Sequence, residues 1–221
     1  MAGILVEGEK PPFEEVSETI DESVLSRADR GGTLSPEELI LIGRSMRGAA
    51  HLKYFISARK DRLPGCFRIA SGLSDLKYLY NLIINTFDED LNIKDIASFN
   101  LSSLRESLRN CMDQIRREID LFLRDPAKAE LLIDNYFTLR GERYVFPVKS
   151  SHYGYINGVI HGTSNSGATL FVEPEFLVKD NNKLKILRDR IAEEELKILK
   201  DLSGEVAAQL HEIENNIALV P

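Results

Sequence analysis

Six basic side chains in the second half of the chain stand out: Arg143, Lys149, Lys183, Lys185, Arg188 and Arg190. Fixed cations of this kind neutralise phosphates and release counterions, so the chemistry they suggest is contact with a nucleic-acid backbone. The helical members of the set also suit a solvated face, with Lys and Arg pairing to acids three or four residues away. Tyr153 and Tyr155 flank Gly154. In an extended strand they share one face and offer rings on which an exposed base can stack, ordinary strand packing being the alternative. With His152 beside them, the candidate DNA-contact set is Arg143, Lys149, His152, Tyr153, Tyr155 and Lys183.

No catalytic constellation accompanies these residues. His51, His152, His161 and His211 are scattered without ligand spacing such as H-x-x-x-H, which argues against a metal site. Ser164 and Ser166 lie in a glycine-containing turn with no candidate base near them in sequence. Glu173, just before Pro174, suits a structural role at a sheet-to-helix corner. No catalytic, cofactor or metal residue is therefore expected, and the chain by itself is not expected to be an enzyme.

The elements that must position these side chains follow from periodicity. Val16, Ile20 and Val24 suggest a short first helix, stopped at Gly31-Gly32. Ser35-Pro36-Glu37-Glu38 is a helix start with a cap, a proline preset for the first turn and a glutamate able to close a capping box. Leu39, Ile42, Met46 and Ala50 follow on one face, and Leu63-Pro64-Gly65 breaks the pattern. A third helix follows Ser74. Leu91 and Ile93 suggest a brief extended piece. Leu101, Leu104, Leu108, Met112, Ile115, Ile119 and Phe122 form an unbroken amphipathic stripe, and Asp125-Pro126 restarts a short helix reaching Tyr136.

The character then changes. Tyr144-Val145-Phe146, bounded by Pro147, the stretch Tyr153 to Ile160, and Thr169 to Val172 read as short strands of a small antiparallel sheet. From Phe176 the helical period returns, with Leu184, Leu187, Ile191, Ile198, Leu202, Val206, Leu210, Ile213 and Ile217 spanning roughly 60 Å at 1.5 Å per residue. A helix that long needs a partner, and the Leu101–Phe122 helix supplies one. The expected fold class is mainly α (α+β), divided as 1–140 helical core and first lever helix, 141–175 β insertion and 176–221 returning lever helix.

Composition sets limits on partners. The 221 residues carry a formal net charge of −7, so no basic field covers the whole molecule and anion binding must be local. From Gly141 to Arg190 there are seven Lys/Arg against five Asp/Glu, a local excess of two positive charges. The two cysteines, Cys66 and Cys111, have no C-x-x-C spacing and read as reduced thiols of a cytoplasmic protein. The first ten residues do not resemble a signal peptide, and no run of 18 apolar residues suggests a membrane span.

The inserted segment also carries a resemblance. Gly141-Glu142-Arg143-Tyr144-Val145-Phe146-Pro147-Val148-Lys149, Gly158-Val159-Ile160-His161, the run Ser164 to Pro174 and Asn181-Asn182 together resemble the clamp region of the MutS family of DNA mismatch-repair and recombination proteins. The branch they resemble is the second bacterial paralogue type, which lacks the mismatch-reading domain. Gly32 to Leu39 and Ala97-Ser98 are similar to the same branch. The resemblance implies a helical core and levers with a clamp between them. It also implies dimerisation, structure-dependent contact with DNA in repair or recombination control, and in some members an association with ribosomes. Family members couple this to hydrolysis of Mg-bound ATP. This sequence contains no G-x-x-x-x-G-K-[ST] stretch to cradle phosphates and no nuclease-like module. The expectation is thus a non-catalytic core and clamp piece of a parent ATPase. The other reading is an interaction scaffold for dimerisation or for docking a protein or ribosomal partner. Many relatives carry basic residues where this chain has Tyr153 and Tyr155.

Overall fold

A computed structural model describes residues 20–220 of the chain. Val16, assigned above to the first helix, lies outside them. The described residues form two compact units, 20–98 with 195–220, and Phe99–Glu194.

In the first unit, Asp21 caps helix α1 (Glu22–Asp29) by accepting from the Ser23 amide. Helix α2 (Pro36–Ser57) starts as its sequence predicts. The Ser35 hydroxyl accepts from the Glu38 amide, the Glu38 carboxylate accepts from the Ser35 amide, and Pro36 opens the first turn. Pro64 does more than interrupt the pattern, because its fixed φ starts the short helix α3 (Pro64–Ala70). Helix α4 (Lys77–Thr86) packs on α2 through Leu79 and Ile83 against Leu39, Ile42 and Met46, all buried. Gly43 permits that approach: a Cβ there would lie 3.1 Å from Ile83. The extended piece after α4 is a single bridge between Phe87 and Ile93.

The returning helix α7 (Glu175–Ala208) is 34 residues long, about 51 Å at 1.5 Å per residue. It does not run unbroken to the end of its apolar stripe. Gln209, with φ −117° and ψ 23°, separates it from α8 (Leu210–Leu219). In the first unit Ser203 of α7 accepts the Leu34 amide through its hydroxyl. The buried Asn216 of α8 makes a two-way bond with Ser74. Its Oδ1 accepts the Ser74 amide at 2.7 Å, and its Nδ2 donates to the Ser74 carbonyl at 3.1 Å.

The second unit is built on helix α5 (Phe99–Leu123), which carries the predicted stripe. It runs antiparallel to the first half of α7. Asn100 meets Glu194 at one end, Cys111 Sγ meets the Asp180 carbonyl midway, and Phe122 stacks on Phe176 at the other end. After the single turn of α6 (Pro126–Ala129), the chain enters a four-stranded antiparallel sheet. Its strands are β1 (Thr138–Arg140), β2 (Arg143–Lys149), β3 (Gly158–Thr163) and β4 (Thr169–Pro174), in the order β1-β2-β4-β3. Tyr144, Phe146, Val148 and Val172 on one face of the sheet join Ile115, Ile119, Phe122, Leu177 and Leu184 in one buried cluster. Phe146 stacks on Phe122 with ring centroids 4.7 Å apart.

Three further details depart from the sequence reading. Helix α6 stops at Ala129 rather than Tyr136, because Thr138–Arg140 is recruited as a strand by a two-residue turn. Gly141 and Glu142 both have positive φ there, as a tight hairpin requires. Strand β2 passes through Pro147 instead of ending at it. Ile133 donates to the Pro147 carbonyl, and the reciprocal bond is one proline cannot make, so only that flank of the strand is interrupted. Finally, Ser150–Tyr155 is a 3-10 turn, and extended structure resumes only at Gly158.

Candidate nucleic-acid interface

The sequence alternation gives the sheet two faces. Arg143, Phe171, Glu173 and Val159 lie opposite the face that joins the buried cluster, since Val159 pairs with Glu173 and Pro147 with Phe171. At the base of the sheet, Glu173 is only 1% exposed. A carboxylate so removed from water must be compensated. Its Oε1 accepts from Arg143 Nη1 at 2.6 Å and from Asn181 Nδ2 at 2.9 Å, and its Oε2 accepts from His161 Nε2 at 2.5 Å. Asn181, also 1% exposed, makes the same two-way bond as Asn216: its Oδ1 accepts the Tyr144 amide and its Nδ2 donates to the Tyr144 carbonyl. Arg143 Nη2 donates to Asn182 Oδ1. One polar lock thus joins β2, β3, β4 and α7.

Local backbone chemistry makes the lock possible. Gly158 brings β3 against β4 so closely that a Cβ would lie 2.2 Å from the Glu173 carbonyl oxygen. A bulge between Ile160 and Thr163, with Gly162 at φ 145°, contains His161.

The six candidate contact residues fare differently. Arg143 is half-buried and spends both terminal nitrogens on Glu173 and Asn182, so its charge is directed inward. Lys149 is half-buried at the end of β2 and its Nζ donates to the Glu130 carbonyl. His152 is half-buried in the 3-10 turn, its ring in a T-shaped contact with Tyr155. Tyr153 and Tyr155 do not share a strand face, because the turn replaces the strand. The Tyr153 hydroxyl lies 3.5 Å from the Gly158 carbonyl, whereas Tyr155 is 76% exposed. Lys183 is exposed on α7, as are Lys185 and Arg190. Arg188 Nη1 reaches back to the Glu142 carbonyl at 3.4 Å. The structure therefore brings Arg143 to a structural centre and leaves Tyr153, Tyr155 and Lys183 as the exposed members of the set, Tyr155 the more open of the two rings. Glu173, Asn181 and His161 form the lock. Sequence reasoning assigned Glu173 to the corner but not its partners, because they converge only after β3 folds back.

The remaining chemistry is sparse. No group of three or more His, Cys, Asp or Glu able to hold a metal occurs among the described residues. Burial first, then the Asp180 carboxylate, pushes the Cys111 thiol above its ordinary range. The hydrogen bond from Lys128 holds the Asp125 carboxyl below its usual range. None of the described helices is long and apolar enough to cross a membrane.

The fold defines a mainly helical protein with a small antiparallel sheet inserted between two antiparallel helices. No protein-family model matches the chain. It is similar to proteins named Endonuclease MutS2. To that of Listeria monocytogenes serotype 4b (strain F2365) it is 34% identical over 195 residues, covering 87% of this chain and 25% of the relative. To that of Geobacillus sp. (strain WCH70) it is 34% identical over 199 residues, covering 89% and 25%. To that of Clostridium acetobutylicum (strain ATCC 824) it is 33% identical over 221 residues, covering 98% and 27%. The chain spans about a quarter of the length of these curated relatives.

Proposed function

We propose that this chain is the core and clamp piece of a MutS2-type protein, a non-catalytic module that holds branched or duplex DNA by its backbone. The single observation that carries this reading is the lock at Glu173. It fixes a small sheet rigidly to the end of a paired helix, which is the build a clamp needs to bear on a duplex. Contact would come from Tyr155, Lys183 and the exposed turn between β3 and β4, with Arg143 holding the frame. Nothing in the sheet resembles a recognition helix, so binding follows the structure of the DNA and not its sequence. Hydrolysis of Mg-bound ATP and dimer closure belong, on this reading, to parts of the parent protein outside these 221 residues.

The test is binding of the chain to a labelled four-way junction and to duplex DNA at about 50 and about 200 mM salt, a range over which phosphate contacts lose affinity steeply. Salt-sensitive binding to the junction is expected, weakened by Lys183→Glu with Tyr155→Ala. Absence of binding to either DNA at the lower salt ends the proposal.

The exposed ring of Tyr155 and the open apolar edge at Val159 and Ile160 favour a second reading, a scaffold that docks a second copy, a protein or a ribosomal partner. Sedimentation across a concentration series with Tyr153→Ala and Tyr155→Ala separates the two. Loss of self-association with DNA affinity intact selects the scaffold.

A further inference from the structure

The strongest concentration of positive charge in the molecule lies in the first unit, away from the inserted sheet in sequence. From Arg44 to Lys77 there are eight Lys/Arg and two Asp/Glu, an excess of six positive charges in a chain whose net charge is −7. After Glu38, helix α2 carries no acid. Arg44, Arg47, His51 and Tyr54 recur at three- and four-residue spacing and so form one stripe along the helix. Arg44, His51 and Tyr54 are exposed, Tyr54 at 79%. A cleft of about 490 Å³ opens beside Tyr54, lined by His51, Lys53, Ser57, Asp75 and Lys77. The one acid there, Asp75, accepts the Lys77 amide with its carboxylate. Lys60, Arg62 and Arg68 extend the exposed positive surface beyond the end of α2.

An exposed ring set among cations matches one class of ligand. A single nucleotide strand offers phosphates to the cations and an unstacked base face to the ring, whereas the base faces of a duplex are stacked on one another and closed to it. We propose that the Arg44–Tyr54 stripe and the adjoining cleft bind a single-stranded nucleic-acid segment, with Tyr54 stacking a base and Arg44 and Lys77 taking flanking phosphates. This surface is independent of the contact assigned to the inserted sheet.

Fluorescence anisotropy of the full chain with labelled oligonucleotides of about 15 nucleotides, thymidine or uridine runs, tests this directly. Tyr54→Ala should weaken binding about tenfold while Tyr54→Phe retains it. Arg44→Glu with Lys77→Glu should flatten the salt dependence by about 1.4, at roughly 0.7 per lost phosphate contact on a single strand. Both sites are exposed, and unchanged thermal unfolding verifies that the variants fold. Strand affinity indifferent to Tyr54→Ala, or no strand binding at all, overturns the proposal. Strand binding lost only with Tyr155→Ala and Lys183→Glu overturns it too, while leaving the clamp reading intact. Junction binding indifferent to that pair sinks the clamp reading and leaves this one standing.

Discussion

Two buried asparagines do similar work in the two units. Asn181 and Asn216 each satisfy the amide and the carbonyl of one distant residue, Tyr144 and Ser74. Removing either side chain leaves both backbone groups unpaired, in a buried site for Tyr144 and a part-buried one for Ser74, at a cost of about 2 kcal/mol or less. Asn181→Ala and Asn216→Ala should each shift urea unfolding by that order. Glu173→Ala should cost about 2–4 kcal/mol, since it strips Arg143 and His161 of their shared partner; part of the loss is spared because both remain partly open to water. Cys111 gives a prediction in pH. Its thiol is raised in the folded state, so the stabilisation from keeping it neutral is complete below the ordinary thiol value of 9.0 and is lost as pH rises through the folded value. At neutral pH iodoacetamide should alkylate the half-exposed Cys66 well before the buried Cys111. Mass spectrometry reads the order.

At the scale of elements, legibility tracked the locality of the signal. The start of α2 was readable because cap, proline and glutamate act within four residues, and Ser35→Ala should cost about 1 kcal/mol by thermal unfolding. The stripe of α5 was readable because burial repeats at the helix period. The Ser150–Tyr155 turn was not, since alternating Tyr and Gly look the same to a periodicity argument whether they form a strand or a tight turn. Strand β1 was missed because its three residues exist only through the hairpin with β2. Pro147 misled because its ladder is interrupted on one flank alone. Gly158 shows how exacting the sheet is. Gly158→Ala puts a Cβ into the Glu173 carbonyl, and a loss above about 2 kcal/mol, with weakened pairing of β3, is expected in unfolding and amide exchange.

On the scale of the whole molecule, an acidic chain carries its positive charge in local patches. Fold class and the pairing of two long helices followed from hydrophobic period. The polarity of the surface did not, because counting charge only from Gly141 to Arg190 passes over the richer stretch from Arg44 to Lys77. Likewise, Arg143 carries the charge of a phosphate contact in sequence but serves in the structure as the counter-ion of Glu173. The central claim is that the inserted sheet, locked at its base, bears on DNA. Amide exchange of the chain with and without a saturating four-way junction tests it most directly. New protection concentrated between Ser150 and Thr169 and at the start of α7 is the expected result. Protection absent from those segments, with the junction demonstrably bound, would contradict the account.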